Sequence, residues 1–272
     1  MQGRLDNGYH QVRMIMQTVD LGDDLRFERT EGEIHIETEC GEIPVGPDNL
    51  ISRAITLMQK EYNIGGGLRV KLDKHIPIAA GMAGGSTDAA AALKAMNVLY
   101  GLGLSDEKLR EQGVKLGADI PYCIMGGTVL SEGIGEILTP IEAMPDCTLV
   151  IAKPAVSVST KEVYTRLDSH KIEVHPDVDG MIRAIGQGDL LQIASKLGNV
   201  LESVTAKMHP VISQIKQEMI ATGAIGSLMS GSGPTVFGIY NRRADVENAV
   251  NALKTRFTDL NLFVTRPVSP VR

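Results

Sequence analysis

The sequence predicts an α+β chain folded as two lobes rather than a doubly wound sheet. Strand and helix patterns mix along its 272 residues without a repeated βαβ period. The pattern restarts past Pro140, and each half carries its own glycine/serine loop, at 77–87 and at 226–238. A chain of this length holds one large domain or two modest ones, and the restart puts the lobe boundary near residues 140–150.

The elements follow in order. YHQVRMIMQTVDLGDDLRFERT alternates apolar and polar residues around a Gly-Asp turn and reads as a pair of strands. EIHIETE alternates more strictly and reads as another. PDNLISRAITLMQKEY sets Pro-Asp-Asn before apolar residues at helical spacing (Leu50, Ile51, Ala54, Ile55, Met58), the pattern of a capped amphipathic helix. GLRVKLDKHIP alternates Leu68, Val70 and Leu72 and enters the first glycine loop as a strand. The alanine-rich helix beyond that loop runs to about Leu99, with Gly101 as its stop. Ser105 caps a further helix over LSDEKLREQGVKLGAD, and Asp106 and Glu107 complement its dipole. In the second half CTLVIAKP is a strand and SVSTKEVYTRLD a capped helix, with helical patterns near 177–188, 189–203 and 208–221. IGSLMSGSGPTVFGIY reads as two strands around the second loop, RADVENAVNALKTRF as a helix and LFVTRPV as a closing strand.

Composition narrows the function classes. A net charge of −6 without a clustered basic run argues against a nucleic-acid surface. Aromatics at 4 %, with no Trp, argue against a base-stacking platform. No apolar stretch nears the roughly 20 residues of a membrane helix, and the polar N-terminus carries no signal or transit pattern. Cys40, Cys123 and Cys147 are scattered without CxxC spacing and read as reduced thiols. His10, His75 and the other histidines lack ligand spacing, so no protein-bound metal site is expected. The expectation is a cytoplasmic protein with neither nucleic-acid nor membrane partners.

The chemistry concentrates in PIAAGMAGGSTDAAAAL, residues 77–93. Glycines set against strong helix formers place a flexible loop at a helix N-terminus, where free N–H groups and the dipole suit an anion, above all a phosphate. The loop is neither a Walker P-loop nor GxGxxG, because its glycines fall at 81, 84 and 85. Ser86 and Thr87 are suited to cap that helix, to contact phosphate or to hold Mg²⁺. Asp119 in GADIPYC reads on its own as a turn residue before Ile-Pro at a helix end. Gly231-Ser232-Gly233-Pro234 reads either as a flexible hairpin or as a second backbone wall beside a ligand.

Together these features resemble the GHMP kinase superfamily, whose P-x-x-x-G-[LM]-[AG]-[SG]-S loop matches 77–87 and whose third motif matches 226–238. With DNGYHQV at 6–12, PDNLISRA at 47–54, GADIPYC at 117–123 and GIGEILTPI at 133–141, the ordered set resembles the 4-diphosphocytidyl-2-C-methyl-D-erythritol kinase family over almost the whole chain. That resemblance implies a ribosomal protein S5 domain 2-like, ATP-binding lobe over 1–145 and a ferredoxin-like lobe over 146–272. It implies a bacterial cytoplasmic enzyme, monomer or homodimer, using ATP and Mg²⁺ on a cytidine diphosphate-linked methylerythritol. Asp119 takes the role of the base. Gly81, Met82, Ala83, Gly84, Gly85, Ser86 and Thr87 take that of the triphosphate wrap, so that a side chain at Gly84 would stand against the phosphates, and Pro77 and Ala79 belong to the same ATP site. Asn49, Leu50 and Lys74 correspond to adenine-site residues, and Asp88 to a nearby polar contact. Tyr9 and His10 correspond to a pair that recognises cytosine, and Gly231, Ser232 and Gly233 close the pocket beside the substrate. Family members also carry a strand of the type AKINLxLxV, with a Lys beside the base and an Asn near the substrate. This sequence opens at MQGRLDNGYH, so a form that binds nucleotide but catalyses weakly stands as an alternative to the active kinase. Another GHMP small-molecule kinase, such as a homoserine or mevalonate kinase, and a non-catalytic nucleotide binder on the same fold remain the alternatives.

Overall fold

The computed structural model describes residues 3–4, 10–168 and 175–269; Tyr9 lies outside them. The first half comprises β1 (Gly3–Arg4), β2 (His10–Gln17), β3 (Asp24–Thr30), β4 (His35–Glu37), α1 (Leu50–Glu61), β5 (Gly67–Asp73), α2 (Gly84–Leu99), α3 (Asp106–Val114), α4 (Ile120–Met125), β6 (Thr128–Gly133) and β7 (Ile137–Pro140). The second half comprises β8 (Thr148–Pro154), α5 (Thr160–Asp168), α6 (Val178–Gly186), α7 (Leu190–Ser195), α8 (Glu202–Met208), α9 (Val211–Ala221), β9 (Gly226–Met229), β10 (Val236–Tyr240), α10 (Arg243–Arg256) and β11 (Leu260–Thr265).

Three sheets result, ordered β1-β2-β6-β7, β3-β5-β4 and β11-β8-β10-β9. Around the second sheet, α1 to α4 bury Ile51, Ile55, Met58, Leu68, Val70, Leu93, Met96 and Ile120 in one core. In α1 this is the i, i+3, i+4, i+7 stripe of Ile51, Ala54, Ile55 and Met58. A second core joins β8, β10 and α9 through Val150, Ile212, Ile215, Met219, Val236 and Tyr240. A third cluster bridges the halves: Ile15, Val19 and Ile141 pack on Leu149, Ile185, Ile193 and Ile239.

Four elements differ from the sequence expectation. The two strands expected within 9–30 both form, but not as a pair. β2 runs antiparallel to β6 and β3 antiparallel to β5, because 18–23 crosses from one sheet to the other instead of turning back. The hairpin β6–β7 was not anticipated; Gly133 (φ +71°) and Gly135 (φ +120°) form its turn. Asp119 opens a helix rather than ending one, with Pro121 in the first turn of α4, where its missing N–H costs nothing. The helix expected over 189–203 breaks between α7 and α8, and there Asn199 Nδ2 donates to the carbonyls of Met229 (2.9 Å) and Gly231 (2.7 Å).

Two features fix the first glycine loop. In front, Ser230 Oγ donates to the Gly81 carbonyl at 2.8 Å, tying it to the second loop. Gly81 has φ +69°, and a Cβ there would lie 2.5 Å from the Ser230 carbonyl oxygen. Behind, Asp23 Oδ1 accepts the N–H groups of His75 (2.6 Å) and Ile76 (2.8 Å). The Lys74 ammonium bonds Asp23 Oδ2 and reaches Asp88 Oδ2 of α2 at 2.9 Å. Burial, only partly offset by Lys74, raises the Asp88 carboxyl to about 7.

Gly81→Ala is expected to destabilise the fold by roughly 2 kcal/mol, from left-handed strain plus a backbone collision. Gly85→Ala, whose Cβ meets only Leu50 Cδ1 at 3.5 Å, serves as the neutral control. Thermal midpoints should separate the two by several degrees; equal midpoints would remove the close-approach argument. The Asp88 carboxyl keeps its proton in the folded chain up to about pH 7, whereas an unfolded chain releases it near 3.8. The folded state therefore binds more protons between these values, so this contribution to stability is full below about pH 4 and lost as pH rises through about 7. Asp88→Asn should flatten that slope in thermal melts from pH 5 to 8.

Candidate active site

The site starts at the N-terminus of α2. Ala83 occupies its N-cap position in the left-handed region (φ +53°), and no side chain caps the helix. Ser86 and Thr87 lie inside the first turn, so neither is the cap. Thr87 N–H and Oγ1 both donate back to the Ala83 carbonyl, at 2.8 and 3.1 Å. Ser86 Oγ has no hydrogen-bond partner among the described residues. The orphan N–H groups of the first turn are thus left for something other than the protein. Pro77, Ala79 (φ +51°) and Gly81 lead into it, and Met82 precedes Ala83. A Cβ on Gly84 would meet Ile76 Cγ2 at 2.9 Å and Lys74 Nζ at 3.0 Å. The side-chain position of Gly84 thus faces the packing beneath the loop, not the open side where the sequence reading set it.

Asn49 and Leu50 stand beside this turn. Asn49 caps α1, accepting from Ile51 N–H at 2.8 Å and donating to the Pro44 carbonyl at 2.7 Å. Leu50 Cδ1 reaches the Cβ position of Gly85. Lys74 and Asp88 lie behind the loop in the ion triad with Asp23, each side chain at least nine-tenths buried.

Asp119 sits at the N-cap of α4, whose N–H groups its side chain does not cap. Its carboxylate has no hydrogen bond or ion pair among the described residues, and burial pushes it above the ordinary carboxylate range. Its charge acts on Cys123 and Tyr164. Cys123 lies one turn along α4 with its Sγ 3.5 Å from Thr87 Oγ1, joining Asp119 to the α2 turn. Burial lifts this thiol to about 11, so it is neutral at pH 7. The Tyr164 ring lies 4.7 Å from the His10 ring, and His10 Nε2 pairs with Asp168 at 2.5 Å. A cavity of about 400 Å³ next to Tyr164 is lined by Val12, Arg13 and Met14 of β2 and by Asn199 and Leu201. The larger open groove, about 980 Å³, follows Asp24, Arg26, Glu37 and Lys71 along the second sheet and contains neither Asp119 nor the glycine loop.

The second glycine loop closes the other side. Gly231 (φ +54°) lies against Gly81, and Gly233 has φ +86°. Ser232 is buried, its Oγ 2.8 Å from Thr160 Oγ1 and its carbonyl 3.1 Å from the donor Thr205 Oγ1. Sequence reasoning missed Asp23, Tyr164, Asp168, Asn199 and Ser230. Of these, Tyr164 carried a signal as one of few aromatics in the chain, and Ser230 as part of the glycine/serine segment 226–238. Pairing of β3 with β5 also brings Asp24, Asp73 and His75 together at an exposed end of that sheet, a juxtaposition that linear spacing hides.

Comparison with known proteins agrees with this geometry. Residues 49–127 match the GHMP kinases N terminal domain and 181–259 the GHMP kinases C terminal domain. The 4-diphosphocytidyl-2-C-methyl-D-erythritol kinase of Lachnospira eligens is 50% identical over 269 residues, covering 98% of this chain and 93% of that protein. That of Alkaliphilus metalliredigens is 48% identical over 261 residues, covering 96% and 90%. A crystal structure of 4-(cytidine 5'-diphospho)-2C-methyl-D-erythritol kinase superposes with a TM-score of 0.79 at 29% identity, over 98% of this chain and 94% of that one. Homoserine kinase from Cytophaga hutchinsonii, at 20% identity and a TM-score of 0.78 over 92% and 88% of the two chains, shares the fold. The chain belongs to the 4-diphosphocytidyl-2-C-methyl-D-erythritol kinase family, phosphotransferases of the GHMP kinase fold.

Proposed function

We propose that this chain transfers the γ-phosphate of ATP to the 2-hydroxyl of 4-diphosphocytidyl-2-C-methyl-D-erythritol, with Asp119 as general base. The observation that carries the reading is the unpartnered, desolvated Asp119 carboxylate, linked through Cys123 and Thr87 to the uncapped α2 turn. The relatives' names supply the acceptor. We divide the chain into a nucleotide lobe over 1–145 and a second lobe over 146–272.

Phosphoryl transfer depends mostly on positioning and on charge stabilisation. The first-turn N–H groups of α2 and the loop Gly81–Gly85 receive the triphosphate, and Gly231 to Gly233 border it. Asn49 and Leu50 flank the adenine, whereas Lys74, which the sequence reading set beside them, lies with Asp88 behind the loop, its ammonium bound by Asp23 and Asp88. Asp119 takes the hydroxyl proton as the oxygen approaches the γ-phosphorus in line. His10 and Tyr164 form the aromatic cluster for the cytosine ring. The oxygen donor set fits Mg²⁺ as an ATP complex, because Asp23 and Asp88 are committed to Lys74 while Ser86 Oγ is free. Ser86 would hold the ion together with phosphate and water oxygens. When bound, Mg²⁺ neutralises phosphate charge.

Asp119→Asn is expected to lower kcat by about 10²- to 10⁴-fold while leaving ATP affinity within a few-fold of wild type. Calorimetry and steady-state kinetics check both, and a near-normal kcat removes the base assignment. Asp119 must be ionised to accept a proton, and its folded-state carboxyl is raised. The acid limb of kcat/KM should therefore fall above the ordinary carboxylate range, activity rising with pH through it. Tyr164→Ala should raise KM for the cytidylyl substrate by roughly 10-fold or more, the worth of one stacked base, with KM for ATP unchanged.

A further inference from the structure

We propose that Asp23, Lys74 and Asp88 are positioning residues: their ion triad clamps both ends of the first glycine loop and sets it in place before nucleotide binds. The inference rests on the phosphate role given to that loop above. Asp23 takes both backbone N–H groups at the exit of β5, His75 at 2.6 Å and Ile76 at 2.8 Å, and also the Lys74 ammonium. Lys74 then reaches Asp88 at 2.9 Å, in the second turn of α2. The segment between, 77–83, holds Ala79 and Ala83 in left-handed conformations, φ +51° and +53°. Alanine adopts these only where the surroundings over-determine them.

The triad is a poor choice for stability alone. Its side chains are 0 to 6% exposed, so three ionisable groups have lost their water. Well-packed apolar groups of similar volume often replace such sites without loss, and conformational specificity is one reason for keeping them. The Asp88 Oδ1 atom is also buried without a hydrogen-bond partner, a further cost unrelated to packing. The Lys74 ammonium stands 3.0 Å from the Cβ position of Gly84, so the clamp bears directly on the first turn of α2. Moving any of its bonds moves the N–H groups on that turn.

Two variants test the clamp, by calorimetric ATP affinity, separate kcat and KM values, and amide hydrogen exchange over 76–85. The triple variant Asp23→Asn/Lys74→Met/Asp88→Leu removes the buried charges and keeps the volume. It is expected to melt no lower than wild type, to exchange at least 10-fold faster over 76–85, and to raise KM and Kd for ATP at least 10-fold. Its KM for the cytidylyl substrate should stay within threefold. Asp88→Asn, which keeps an acceptor for Lys74, should recover ATP affinity to within threefold of wild type. If the triple variant binds ATP as wild type does, or loses ATP affinity only in proportion to a lower melting point, the inference is overturned. Absence of ATP binding by the wild-type chain would instead overturn the underlying phosphate reading, while the exchange rates still report the clamp.

Discussion

A helix N-terminus with no side-chain cap is the constraint around which this molecule is organised. An ordinary helix satisfies its first N–H groups with a Ser, Thr, Asp or Asn side chain, as Asn49 does for α1 and Ser105 for α3. At α2 the cap position is Ala83, and the nearby hydroxyl of Thr87 is turned back onto the Ala83 carbonyl. Leaving these donors free requires the preceding backbone to be held by other means. Gly81 is pinned from the front by Ser230, and Ile76 from behind by Asp23. The second loop and the crossing segment 18–23 are thereby tied to the same short stretch of chain.

The same ties join the two halves of the chain, although each has its own core. Ser230 belongs to the second half, and Asn199, in the break between α7 and α8, holds that loop through the carbonyls of Met229 and Gly231. Tyr164 comes from α5 of the second half but stacks on His10 of β2, while Asp119 comes from α4. The site thus lies where elements of both halves converge, and the apolar cluster of Ile15, Ile141, Leu149 and Ile239 fixes their relative placement.

What the sequence made legible follows from the range of the interactions involved. Helix α1 was readable because its apolar stripe and its Asn49 cap are local, and the glycine loop because composition changes sharply at a helix start. The partners of β2 and β3 were not readable, since pairing with β6 and β5 depends on contacts far along the chain. Asp119 carried little weight as a lone Asp before Ile-Pro; the resemblance of the ordered family segments pointed to it, and it is buried without a partner among the described residues. Asp23 gave no signal, because a Gly-Asp turn looks alike whether its carboxylate meets water or Lys74. The reading of Gly84 found the right residue with the wrong neighbour: small size is required by Ile76 and Lys74 below, not by the ligand side.

The electrostatics around α2 distinguish two kinds of carboxylate. Asp88 and Asp119 are both raised by burial, but Asp88 shares an ammonium with Asp23, whereas Asp119 has only neutral neighbours at pH 7 among the groups that act with it, Cys123 and Tyr164. A carboxylate tied to a lysine is fixed in position. One without a partner keeps its basicity and its freedom to meet a hydroxyl. The neutral Cys123 thiol, reached by Thr87, separates the two without adding charge. Positive potential for an arriving polyanion then comes from the backbone dipoles of α2, whose direction is fixed by the helix itself. In the proposed reaction that division of labour lets one carboxylate hold the loop while the other stays available for chemistry.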